Sequence, residues 1–273
     1  MRLFQAIKHD ILFGLVMRWK ILAFSVAFFL SVIFLFHLYA NNHLHPLTSN
    51  GTYGLIDLLV VFFWGNEPVT NDVISAAFNK SGIPVSPVWL CFFCYLSYTI
   101  SYYMRDDMKS KGNNTTLRVG SKEIWWVSKC IWCIATVVIY YGLLMLCIML
   151  FVYGFGDMTT PFHPELMNLY NGCHISGGIE QSFLLLLLTS VLLSLVQIWT
   201  SIYIKPIICF FLSLVYLLSA SCFNHPILIY NYTMFCRTQG MGSEWHIVLF
   251  AMTVSIIFLI IIGCKSIKNK DFI

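Results

Sequence analysis

Gly154-Phe155-Gly156-Asp157 spells GxGD, a pattern in which an aspartate at the end of an apolar helix cleaves peptide bonds by sharing one proton with a second carboxylate. The spans supply no second carboxylate. Asp57 stands in an apolar setting, but it falls in a connection and not on a spanning helix, so the pattern reads as a Gly-rich turn that ends a span. His43-Leu44-His45 places two imidazoles together without the Cys, Asp or Glu that would complete a metal site. Cys91-Phe92-Phe93-Cys94 and Cys130-Ile131-Trp132-Cys133 have the spacing of redox or zinc pairs, yet both sit in apolar runs, where a thiol packs as a small hydrophobe. Cys173, Cys222 and Cys236 lie outside or near the far face, where a disulfide stays open. An enzyme would need convergent acid, base or nucleophile groups, for which Asp57, Asp157 and His174 alone are eligible. We therefore assign no catalytic, cofactor-binding or metal-ligating residue.

The elements that would position such groups are membrane helices. The chain has 273 residues, 59% of them hydrophobic and 10% charged, more apolar surface than one soluble core can hide. Crossing a hydrocarbon core takes about 20 helical residues. Apolar runs predict about six spans, at residues 21–39, 88–103, 124–153, 183–204, 207–221 and 246–264. Runs such as FLLLLLTSVLLSLV are continuously apolar and do not alternate, which points to helices rather than a barrel. The expected fold is an all-α polytopic membrane protein forming one domain over residues 1–273.

Basic residues orient it. Arg2, Lys8, Arg18 and Lys20 precede the first span, Arg105 to Lys129 join the second to the third, Lys205 joins the fourth to the fifth, and Lys265, Lys268 and Lys270 close the chain. Only Lys80 and Arg237 of the 16 Lys and Arg fall on the other side, so both termini read as cytoplasmic. Residues 1–20 predict an amphipathic interface helix, with Leu3, Phe4, Ile7, Ile11 and Leu15 opposite Gln5, Lys8 and Asp10; a longer, frayed first span is the alternative. A secretory leader does not fit, since no small-x-small cleavage site follows Phe36. In the outer connection from Ala40 to Pro87, GLIDLLVVFFWG is too short to cross and is expected to dip into the outer interface. The acceptor triplets at Asn50, Asn79 and Asn231 are given no function.

Ion-driven transport usually needs charged groups in mid-membrane, and these spans hold none beyond Lys129 near an inner end. Hydroxyls and amides remain, among them Ser97, Thr99, Ser194 and Gln197, which serve for helix packing as readily as for lining a path. No GxxxxGK[ST] phosphate loop is present, so energy for uphill transport would come from another polypeptide. The inner segment 105–123 is the obvious contact for one. Asp106-Asp107 can cap a short helix, Arg118 and Lys122 present charge, and Gly120 permits a sharp turn, while Trp125 and Trp126, like Trp19, are expected at headgroup level. An ordinary basic loop reads equally well.

The order TLRVGSKEIWWVSKCIW after PVWL and YLSYTISYYMRDD, followed by LLSLVQIWTSIYIKP, SASCFNHPILIYNYTMFCR and KNKDFI, resembles the ABC-2 type permeases of Gram-positive bacteria over nearly the whole chain. The resemblance implies a coupling region at Arg105 to Lys122, comprising Arg105, Asp106, Asp107, Arg118, Gly120 and Lys122. It also implies a re-entrant segment at Cys222 to Arg237, where Pro226 and Asn231 interrupt an apolar run. It implies a multi-pass protein of the bacterial cytoplasmic membrane that exports a hydrophobic or amphipathic solute. The expected partners are a cytosolic ABC ATPase dimer carrying ATP and Mg, a second permease subunit and lipid, with no nucleic acid and no cofactor on this chain. Departures are Gly120-Ser121-Lys122-Glu123, where the family is often more basic, and a long outer connection from Gly156 to Gly178. A non-transporting immunity or sensor protein is the alternative, and an intramembrane enzyme a weaker one.

Overall fold

In the computed structural model, residues 2–16, 19–44, 54–66, 86–110, 121–155, 179–238 and 244–268 are described. Among them the architecture is all-α, with no strand. Helix α1 (Arg2–Ile11) runs through a π-helical turn (Leu12–Val16) toward α2 (Trp19–Leu44). The short α3 (Leu55–Phe63) follows, then α4 (Pro87–Ser110) and the long α5 (Lys122–Phe155). Next come α6 (Ile179–Ser201), α7 (Pro206–Cys222), a 3-10 turn (Ile229–Thr233), the single turn α8 (Phe235–Thr238) and α9 (Trp245–Lys268).

Four of these helices are long and apolar enough to cross a membrane, over Trp19–Ala40, Lys122–Phe155, Gln181–Ser201 and Trp245–Ile267. They contain the expected runs 21–39, 124–153 and 246–264, while the run 183–204 overshoots α6, which ends at Ser201 in a turn that Pro206 closes at the first position of α7. The runs 88–103 and 207–221 lie in α4 and α7, which pack against each other. Helix α4 carries Arg105, Asp106, Asp107 and Lys109 in its last turns, and α7 has 17 residues. The membrane-embedded character follows from the four apolar helices.

Segment α3, expected to dip into the outer interface, is covered by other helices. Leu58, Val60, Phe62 and Phe63 are fully buried, and the helix packs against α4 and α5. A helix that is apolar all round has no polar face to offer headgroups, so it is covered by protein instead. Its start is fixed by Asp57, whose Oδ2 accepts the Gly54 amide at 2.8 Å. Around it rings form the core: Phe63 and Phe92 meet edge to face at 5.0 Å, and Phe29 lies 5.1 Å from Tyr140.

Beyond α7 the backbone leaves helical geometry, and its polar groups need other partners in an apolar setting. Arg237 supplies them. Its guanidinium donates to the carbonyls of Ala220 and Phe223, to Ser221 O at 2.9 Å, to Asn66 O at 2.8 Å beyond α3, and to the Asn231 side chain. One cation thus caps the end of α7 and ties it to the chain after α3, and burial lowers the guanidinium pKa from its ordinary value. Gly65 sits at φ 77° beneath Met234, and a Cβ there would lie 2.4 Å from Met234 Cγ. Asn231, the one of the three triplet asparagines Asn50, Asn79 and Asn231 that lies among the described residues, is buried within this network.

Candidate functional site

Asp10 and Lys129, both buried, meet where α1, α4 and α5 converge. Helix α1 and the π-helical turn after it show Phe4, Leu12 and Val16 outward, and they turn Asp10 and Gly14 inward. Helix α5 brings Ser128 and Lys129, and α4 brings Tyr103. Lys129 Nζ lies 2.8 Å from Asp10 Oδ1, and both side chains are almost wholly buried, at 0% and 5% exposure. Tyr103 donates its phenol proton to the same Oδ1 at 2.8 Å, and Ser128 donates to Oδ2 at 2.5 Å. Lys129 Nζ also stands 2.8 Å from the Tyr103 hydroxyl and 4.8 Å from the Tyr103 ring, with Trp125 on the other side at 5.6 Å.

Packing makes this arrangement specific. Tyr103 stacks on Trp132 at 3.8 Å between ring centres. Gly14 of the π-helical turn lies directly against that pair; a Cβ on it would come 2.1 Å from Trp132 Nε1. The missing side chain is what lets α1 approach closely enough for Asp10 to reach Lys129. His9 completes the surroundings, its Nδ1 3.6 Å from Asp10 Oδ1 and its ring 4.4 Å from Phe13.

Chemically, the arrangement ties three helices together through one buried ion pair. Asp10 accepts from Lys129 and Tyr103 at Oδ1 and from Ser128 at Oδ2, so both carboxylate oxygens are engaged within the protein. Breaking a buried pair by removing one partner costs about 3–5 kcal/mol, whereas replacing both by apolar groups is often close to neutral. The arrangement therefore fixes α1 to the base of α5 and α4 without demanding that the charges add net stability.

The expected coupling residues border this site in sequence. Arg105, Asp106 and Asp107 continue α4 as helix, and Lys122 opens α5. Arg118 and Gly120 lie outside the described residues, as do Gly156, Asp157, Cys173 and His174. Trp19 is exposed at the start of α2. Trp125 and Trp126 are placed inside the chain instead of facing outward: Trp126 Nε1 donates to Ile260 O at 3.0 Å, and its ring fills the notch at Gly263, where a Cβ would lie 2.2 Å away.

Of the four candidate path residues, the structure brings two together. Gln197 Nε2 donates to Ser97 O at 3.0 Å and to Ser101 Oγ at 2.5 Å, joining α6 to α4. Thr99 returns its hydroxyl to Tyr95 O within α4, and Ser194 is buried on α6. Cys130 and Cys133 are buried free thiols, and among the described residues no group of three or more His, Cys, Asp and Glu is arranged to hold a metal. Asp10, Tyr103 and Ser128 were not singled out by sequence reasoning. The available signal was Lys129 itself, since a cation inside a span requires an anion, and Asp10 is the acid of the adjoining amphipathic helix. Comparison with models of known families, with curated proteins and with solved structures returns no match for this chain.

Proposed function

We propose that the chain is the membrane-spanning subunit of an ATP-driven exporter of the ABC-2 type, moving a hydrophobic or amphipathic solute across the bacterial cytoplasmic membrane. The observation that carries the reading is the buried Asp10–Lys129 pair, which ties the N-terminal helix to α5 directly after the inner segment 105–123. A cytosolic ATPase dimer closing on ATP would press on that segment and on α1. Because α1, α4 and α5 are joined by charge and hydrogen bonds, the displacement would pass as rigid-body rotation into the helices that surround a path between this subunit and a second permease subunit. In this reading α4 and α7 also cross, giving six spans with both termini cytoplasmic. The chain from Cys222 to Arg237 is then a re-entrant segment, its non-helical backbone satisfied by Arg237.

The chain contains no phosphate-cradling loop, which supports assigning ATP and Mg to the partner. Mild-detergent extraction of the tagged chain from its native host, followed by identification of copurifying proteins, tests the reading. An ABC ATPase in about equal amount is expected. A chain that supports export with no such ATPase bound or required would overturn it.

A further inference from the structure

Helices α4 and α7 leave between them an outward-facing groove of about 230 Å³ lined by Tyr98, Ser101, Tyr102, Ile207, Phe210 and Phe211. Its walls are rings: Tyr98 stacks on Tyr102 at 5.7 Å and meets Phe210 edge to face at 6.0 Å. On its inner side Ser101 accepts a hydrogen bond from Gln197 of α6. Phe211, Ile207 and Tyr98 are exposed, at 58%, 48% and 42%. Such a slot, on a membrane-embedded surface, takes a flexible apolar chain entering from the side.

Charge decides which molecule carries that chain. Lys205 occupies the N-cap position of α7, two residues before Ile207 of the groove, and it is exposed. In the sequence the charged residues that end α4, Arg105, Asp106, Asp107 and Lys109, are two of each sign, which leaves Lys205 as the charge nearest the groove's lining along α7. We infer that the groove is a lipid site that seats one acyl chain of an anionic glycerophospholipid, with its phosphate held by Lys205. Tyrosines suit the level of the ester groups, where an apolar ring and a polar tip are both accommodated. The inference rests on the embedding of α4 and α7 in the bilayer and is independent of what the chain transports.

The test is native mass spectrometry of the purified full chain in mild detergent, titrated separately with phosphatidylglycerol and phosphatidylcholine of identical acyl chains. The wild type is expected to retain one phosphatidylglycerol with about fivefold preference over phosphatidylcholine, the effect of one surface lysine on an anionic lipid. Lys205→Gln should bind both equally, and Ile207→Trp, which fills the groove from its exposed side, should retain neither. Equal retention by the wild type, or a preference that survives in Lys205→Gln, overturns the phosphate assignment; Lys205→Gln alters an exposed residue and leaves the core untouched. Undiminished lipid on a folded Ile207→Trp overturns the groove. A lipid-free wild-type dimer that Ile207→Trp splits gives the surface to a second copy of the chain instead.

Discussion

Asp10 and Lys129 are 119 residues apart in the chain, and their charged atoms lie 2.8 Å apart in its interior. The contact joins α1 to the first turns of α5, the longest helix among the described residues, and Tyr103 and Ser128 also donate to the carboxylate. An α1 held this way moves with α5 or unlocks as a unit.

That relationship predicts strongly non-additive mutants. Asp10→Asn and Lys129→Met should each lower stability by about 3–5 kcal/mol, since each leaves a buried partner uncompensated. The double variant should lose much less than the sum. Reversible unfolding in mixed micelles measures all three. Additive losses would mean that the two groups do not depend on each other.

A second prediction concerns close approach. Gly14→Ala and Gly263→Ala each drive a methyl into an indole, Trp132 and Trp126 respectively, at 2.1 and 2.2 Å. Each should cost about 1–3 kcal/mol through overpacking. Trp126→Leu should relieve most of the Gly263→Ala defect by vacating the notch. If the Gly263→Ala loss is unchanged on the Trp126→Leu background, α9 does not seat on that indole.

How much of this was readable in the sequence follows from the range of the signals. Apolar runs are local, so α2, α5, α6 and α9 were legible from composition alone. Helix α3 was recognised as apolar and short, but its burial depends on α4 and α5 closing over it, which no local pattern records. Trp125 and Trp126, beside charges at the start of an apolar run, have the sequence context of headgroup anchors; the notch at Gly263 that receives Trp126 lies on a different helix. Asp10 falls on the polar side of α1 in its periodicity. That polar side is turned toward a lysine within the bundle rather than toward water, a distinction periodicity does not carry.

Arg237 yields a third prediction. Its forked donors hold carbonyls at the end of α7 and beyond α3, a geometry that an ammonium cannot reproduce. Arg237→Lys should therefore lose roughly 1.5–3 kcal/mol, the scale of hydrogen bonds to a charged group. Hydrogen exchange should rise in residues 220–238 and stay unchanged around Asp10. Unaltered protection of residues 220–238 in Arg237→Lys would show that the cation is dispensable there.

Orientation is a separate matter. The proposed topology places Lys80 outside and Lys268 inside, following the basic residues. In a background cleared of native cysteines, Lys80→Cys should react with an impermeant thiol reagent added to intact cells, and Lys268→Cys should react only after lysis. The opposite pattern inverts the assignment and with it the side on which any ATPase docks.

The last prediction separates docking from seating. Asp106 and Asp107 extend α4 beyond the apolar part of the helix, whereas Trp126 is locked against α9. Asp106→Lys with Asp107→Lys should weaken capture of the proposed ATPase by at least about 2 kcal/mol, because inverting charge at a desolvated contact leaves the partner's groups unpaired. Folding should be unaffected. Trp126→Ala should do the reverse, lowering stability by about 3–5 kcal/mol through the cavity it leaves, with the docking charges untouched. Pull-down stoichiometry and unfolding, measured on both variants, read the two effects independently. Should the double lysine variant still capture its ATPase at full stoichiometry and support export, segment 105–123 is an ordinary basic loop, and force must enter through α1 and the Asp10–Lys129 pair alone.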